Sequence, residues 1–197
     1  MHRIVSISGT SRPDNYTARA LGIVNKELTA LGHAPQEFDA RHLTLSFPGL
    51  APTDDAERLR AAVMASSGIV IATPEYHGTF SAMTKLIIEN LGFPSVLAGK
   101  PVALVGVAAG RIGAIKSLEQ LRGVCAHVGA LVLPGAISIA GVRAAFDAEG
   151  NCVDSNAETA LRGVAKSLTE FIQDYVCPKF ILEELVRKET GTWTTTV

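Results

Sequence analysis

The sequence has no apolar stretch near the ~20 residues that a membrane-spanning helix requires, no excess charge of either sign and only three cysteines. Each scarcity excludes something. The apolar run at the start, Ile4-Val5-Ser6-Ile7, is too short for a signal-peptide core, and no small-residue cleavage site follows it, so a cytoplasmic location is expected. A net charge of −1, with Lys and Arg scattered along the chain, gives no basic surface for nucleic acid. Nor is the chain strongly acidic, as electron carriers that dock on redox partners typically are. Cys125, Cys152 and Cys177 stand too far apart for a CxxC metal or redox motif and are expected as reduced packing residues. Two phosphate signatures are also missing. No G-x-G-x-x-G follows the first apolar run, and Gly99-Lys100 lacks the upstream glycine of a P-loop and runs into Pro101.

What is present is the composition of one globular domain: 197 residues, 47% hydrophobic and 19% charged. Apolar runs alternate with segments of helical period. Residues 3–8 predict a buried strand, and residues 17–31 a helix carrying Leu21, Val24, Leu28 and Leu31 on one face with Gly32 as its stop. A second strand is predicted over 34–40, a loop over 41–53 and a helix over 54–66. The unbroken β-branched run at 68–73 suits a strand buried on both faces. A loop at 74–81, a helix at 82–91 and a strand at 101–107 follow. A glycine-rich turn at 110–113 then leads into a helix ending near Val128. Residues 130–139 predict a fifth strand, broken or bent at Pro134-Gly135, and 154–175 a last long helix. This alternation implies a doubly wound, five-stranded parallel sheet with helices on both faces, occupying residues 1–175. The tail, 176–197, stands apart. Residues 180–188 could form a short amphipathic helix, 192–197 are uncharged and Thr-rich, and both a disordered end and a swapped oligomer contact stay open.

In such a sheet, ligands bind beyond the carboxyl ends of the strands near the switch in strand order. Three loops of unusual composition fall there. The first, Gly9-Thr10-Ser11-Arg12-Pro13-Asp14-Asn15-Tyr16-Thr17, combines hydroxyls with a helix start and an arginine, which suits an anion pocket. An ordinary capped turn is the alternative reading. The second, Pro74-Glu75-Tyr76-His77-Gly78-Thr79-Phe80-Ser81, offers backbone groups and aromatic surface to a flat heterocycle. Glu75 and His77 could be proposed as an acid–base pair, but they lack a third, orienting member. The third, Ala108-Ala109-Gly110-Arg111, is a glycine-containing turn that carries little meaning alone.

Taken in order, these loops resemble the NAD(P)H-dependent FMN reductases, a flavodoxin-like family that includes quinone, azo and chromate reductases. The first loop matches the family pattern G-S-x-R-x-x-S-x-N, the second matches P-E-Y-N-G-S with Lys85 at the following lysine, and the third matches the turn after the fourth strand. The resemblance implies FMN as cofactor and NADPH or NADH as cosubstrate. Thr10, Ser11, Arg12, Asn15, Tyr16 and Thr17 would hold the phosphate. Pro74, Glu75, Tyr76, His77 and Gly78 would line the isoalloxazine, with Gly110 and Arg111 at its other edge. Arg111 is the candidate for stabilising the reduced, anionic flavin. Three positions depart from the pattern: Asn15 for Ser, Thr17 for Asn and His77 for Asn. The implied activity is hydride transfer to FMN, followed by release of reduced flavin. Alternatives are an FMN-retaining quinone, azo or chromate reductase and, in another class, a flavodoxin-like electron carrier or FMN-binding regulator. The resemblance also implies a homodimer or homotetramer, with a flavin-dependent monooxygenase as a candidate partner. Surplus apolar residues in 83–91 and 113–128 fit either core or interface.

Overall fold

The fold is that of a computed structural model, which describes residues 2–190. The Thr-rich end, 192–197, lies outside the described residues. The strands are β1 (Ile4–Ser8), β2 (Gln36–Asp39), β3 (Gly68–Tyr76), β4 (Thr79–Phe80), β5 (Pro101–Val107), β6 (Leu131–Val132) and β7 (Ile137–Ile139). The helices are α1 (Tyr16–Ala30), α2 (Asp54–Ala65), α3 (Ala82–Asn90), α4 (Ile115–His127), α5 (Val142–Ala145), α6 (Ser155–Phe171) and α7 (Cys177–Thr190).

Hydrogen bonding orders the sheet β2-β1-β3-β5-β6, with β7 also on β5, all parallel. That is the doubly wound order in which the chain moves outward from β1 on one side and then on the other. Seven strands occupy the five positions expected, for two reasons. The break at Pro134-Gly135 splits the last strand: Val132 pairs with Val102 but Ile137 pairs with Val105, so the interruption inserts two extra residues. In addition, residues 74–81 are not the open loop expected. β3 runs on to Tyr76, turns through His77 and Gly78, and returns as β4, with Glu75 opposite Phe80 and Tyr76 opposite Thr79. His77 and Gly78 both have positive φ, 53° and 76°, as a two-residue hairpin turn demands.

Strand alternation divides the interior into two cores. Ile4, Val70, Ala72, Ala103 and Val105 pack beneath α1 and α6 with Leu21, Leu161 and Leu168. Val5, Ile7, Ile69, Ile71, Val102 and Leu104 pack beneath α2, α3 and α4 with Leu59, Ile87 and Leu121. β3 and β5 feed both cores, which is why they read as unbroken apolar runs. Leu31, expected on the buried face of α1, is instead its C-cap and 40% exposed.

The last helix continues further than the sequence suggests. After α6 a π turn, Ile172–Val176, leads straight into α7, and the Cys177 amide bonds the Ile172 carbonyl five residues back. Pro178 explains the defect, because it has no N–H and its ring collides with the carbonyl four residues earlier in an α-helix.

Burial also separates the thiols. Cys125 is buried in the α4 core, and desolvation pushes its pKa up to about 12. Cys152 and Cys177 are half-buried. Two thiols are therefore expected to react with a disulfide reagent at pH 8 in the native protein, and the third only after unfolding in guanidinium.

Candidate functional site

A cluster of hydrogen bonds, most of them through hydroxyls, locks the first loop to the second. The Gly9 amide donates to the Ala72 carbonyl (2.8 Å), which brings the end of β1 onto β3. The Gly9 carbonyl accepts from the Ser81 hydroxyl and from Thr84 Oγ1 (3.1 Å). Thr84 Oγ1 also lies 3.0 Å from Thr73 Oγ1, so its one proton is shared between that oxygen and the Gly9 carbonyl, and Thr73 Oγ1 accepts from the Ser81 amide (3.2 Å). Ser81 is the N-cap of α3, so the start of that helix, the end of β3 and the first loop share one buried knot. Only glycine fits at position 9, since a Cβ there would lie 2.0 Å from Thr84 Oγ1.

Beyond Gly9 the loop shapes itself. Thr10 Oγ1 accepts from the Arg12 amide and meets the Tyr76 hydroxyl, each at 3.3 Å. Asn15 is the N-cap of α1: its Oδ1 accepts from the Ala18 amide (2.7 Å) and its Nδ2 donates to the Arg12 carbonyl (2.8 Å). Asn15 therefore holds the backbone, a more specific task than the phosphate contact the resemblance implies. Asp14, at φ 46°, adopts a left-handed conformation rare for a non-glycine residue and closes the turn. The result is a helix start whose Tyr16 and Thr17 amides, and whose Thr17 hydroxyl, have no partner among the described residues. Free N–H groups at the positive end of a helix attract an anion.

The hairpin is braced from the other side. Glu75 Oε2 accepts from the Ser117 amide in the first turn of α4 (3.2 Å), replacing the side-chain cap that Ala114 cannot supply. Gln120 binds both the Gly78 carbonyl (3.0 Å) and Thr79 Oγ1 (2.6 Å). Glu75 is thus engaged with α4 and forms no pair with His77.

A cleft of about 320 Å³ opens between these loops, within the range of small-ligand pockets. Its walls include Arg12, Asn15, Tyr16 and Thr17 from the first loop, Pro74, Glu75 and Tyr76 from the hairpin, and Val107, Ala108 and Ala109 from the end of β5. Seven residues singled out from sequence therefore meet around one cavity. Thr10, Ser11, His77, Gly78, Gly110 and Arg111 do not line it. Thr10 is buried behind the loop, and Ser11, His77 and Arg111 are exposed. The Gly110 carbonyl accepts from the Gly113 and Gly141 amides, so it holds the turn.

The sequence reading missed Asp14, Val142 and Arg143, which also line the cleft. α5 reaches it because the Val142 amide donates to the Ala108 carbonyl (3.0 Å), while Phe146 packs on Tyr16 with ring centres 6.0 Å apart. Four residues have too little periodicity to announce a helix. Arg12 and Arg143 are both exposed, and neither makes an ion pair among the described residues. An unpaired guanidinium beside free helix amides is the donor set of a phosphate site.

Residues 2–143 match a family described as NADPH-dependent FMN reductase. An NAD(P)H-dependent FMN reductase of Pseudomonas aeruginosa is 28% identical over 183 residues, which span 87% of this chain and 95% of that protein. An NADPH azoreductase of a Bacillus species is 31% identical over 119 residues, 60% of this chain and 64% of that one. Among solved structures, a flavoenzyme NAD(P)H:(acceptor) oxidoreductase from Paracoccus denitrificans superposes with a TM-score of 0.73 at 21% identity, covering 89% of this chain and 99% of that one. An archaeal flavodoxin superposes at 0.61 with 13% identity, over 88% of this chain and 99% of that one, and at such identity the likeness is one of fold.

The hydroxyl knot is testable on its own. Thr84→Val keeps the shape but removes the one hydroxyl that reaches both the Gly9 carbonyl and Thr73 Oγ1, each of which keeps its bond to Ser81, and is expected to lower stability by about 0.5–1.5 kcal/mol in urea titration. Thr84→Ser, which keeps the donor, should lose clearly less.

Proposed function

Because the chain belongs to the NADPH-dependent FMN reductase family, we propose that its cleft holds FMN with the phosphate on the N-terminus of α1. Family membership makes the protein an NAD(P)H-dependent FMN oxidoreductase. One observation carries the placement of the cofactor: the unpartnered Tyr16 and Thr17 amides face the same cleft as the unpaired Arg12. Arg143 adds a second cation from α5, which matches the double charge of a phosphomonoester. The flavin-binding unit is proposed to end near residue 175.

When bound, FMN supplies the hydride acceptor, so no general base is required of the protein. The chain's own residues position and shield. Asn15 and Thr10 hold the first loop open for the phosphate through backbone contacts. Main-chain groups along residues 74–78 and 108–110 offer fixed dipoles to the ring edge, and Glu75 sets the hairpin by gripping α4. Tyr76, 36% exposed, stands at the mouth where a nicotinamide would enter. Arg111 is proposed to act on the flavin from the rim, outside the cleft walls. Three further points belong to the same proposal: a cytoplasmic location, a homo-oligomer, and onward transfer to a quinone-like or azo acceptor or release of reduced flavin to a monooxygenase. No described helix is long and apolar enough to cross a membrane. Relatives are named as an NADPH azoreductase and a 2-hydroxy-1,4-benzoquinone reductase.

Flavin-fluorescence titration tests the reading directly. Arg12→Gln and Arg143→Gln are each expected to weaken FMN binding by roughly tenfold to a hundredfold, since a charge-assisted hydrogen bond contributes about 1.5–3 kcal/mol. Riboflavin, which lacks the phosphate, should bind the variants and the wild type alike. A wild-type protein that neither binds FMN nor oxidises NADPH in its presence would sink the proposal.

A further inference from the structure

A group of exposed apolar side chains outside the cleft lies along the π turn and α7. Tyr175, Ile181, Leu182 and Leu185 are between 50% and 66% exposed, although side chains of this size are seldom left clustered in water. The large side chains beyond Cys177 join neither hydrophobic core. Their order is regular. Tyr175, Pro178, Leu182 and Leu185 follow at intervals of three and four, the seam spacing of paired helices, and Ile181 flanks that seam on one side. Phe180 lies on the opposite side of the helix and is not part of it.

Charge identifies the occupant. Asp174 and Lys188 lie on the same flank as Ile181, one heptad before it and one after it, and neither makes an ion pair among the described residues. We propose that α7 pairs antiparallel with α7 of a second copy of this chain, about a two-fold axis passing near Ile181. In that register Tyr175 meets Leu185 of the other copy and Pro178 meets Leu182. Ile181 meets its own counterpart, and Asp174 meets Lys188 twice, once on each side of the axis. A two-fold contact must be self-complementary, and a flank reading acid, apolar, base is self-complementary only when the second helix is reversed. A parallel pair sets the two copies of this flank on opposite sides of the seam, where Asp174 and Lys188 do not meet. The cross-chain Lys179 contact at the axis is eased because each Lys179 lies 3.8 Å from Glu183 on its own helix.

Light scattering on the full chain tests this. The wild type is expected at a multiple of 20.7 kDa. Leu182→Gln/Leu185→Gln should halve that mass, with circular dichroism and thermal midpoint little changed because this face supports neither core. Asp174→Lys alone should weaken the association roughly tenfold, as symmetry replaces two attractions by two repulsions, and adding Lys188→Asp should restore it. A monomeric wild type would overturn the proposal, whether the face serves another partner or none. So would an unchanged mass in the leucine variant, since another interface would then hold the copies together. Failure of the charge reversal to rescue would overturn the antiparallel register.

Discussion

The site depends on one small contact: the carbonyl of Gly9 held by the hydroxyls of Ser81 and Thr84. Two loops that are far apart in sequence must stand at a fixed distance for a cleft to exist between them. Backbone pairing of β1 with β3 sets that distance only as far as Ser8 and Ala72. Past those residues the ladder ends, and the hydroxyl knot continues it with side chains. Each of its three hydroxyl protons has an acceptor, Thr73 on the Pro74 carbonyl and Ser81 and Thr84 on the Gly9 carbonyl, so the polar groups are buried without being stranded. The absence of a side chain at position 9 is what permits so close an approach.

A second brace works by the same logic on the opposite wall. α4 begins at Ala114, which cannot cap it, and Glu75 supplies the missing acceptor from the hairpin. A carboxylate near a helix N-terminus is favourable in itself. Here it also couples the orientation of the hairpin to a helix packed in the core. The positive φ at His77 is sustained because Gln120 holds the turn from α4. Backbone strain thus sits where the chain must present main-chain groups to a ligand.

The two ends of the molecule differ in kind. At the carboxyl edge of the sheet, polar groups are mostly satisfied or line a cleft, the buried Ser8 hydroxyl being an exception. At α7 the unmatched groups are apolar and lie along a helix that leaves the domain through a π turn. The first arrangement suits a small anion-bearing ligand, and the second suits another helix.

Much of this was legible in the sequence. Alternating apolar runs specified the parallel sheet, because strands buried on both faces leave no polar positions. The Gly9–Thr17 loop carries hydroxyls, an arginine and a following helix, the features on which the proposed phosphate placement rests. The hairpin was misread as a loop, since its return strand is two residues long and pairs only through tertiary contacts. Arg143 was invisible because its helix has four residues and reaches the cleft through Ala108, more than thirty positions earlier. Asn15 and Glu75 stand out in the sequence as candidates, but their pairing with Arg12, Ala18 and Ser117 does not. Composition and spacing therefore determined which fold and which loops. Tertiary structure decided which side chains are used up in holding those loops, and which remain free to meet a ligand, because hydrogen-bond partners distant in sequence leave no periodic trace.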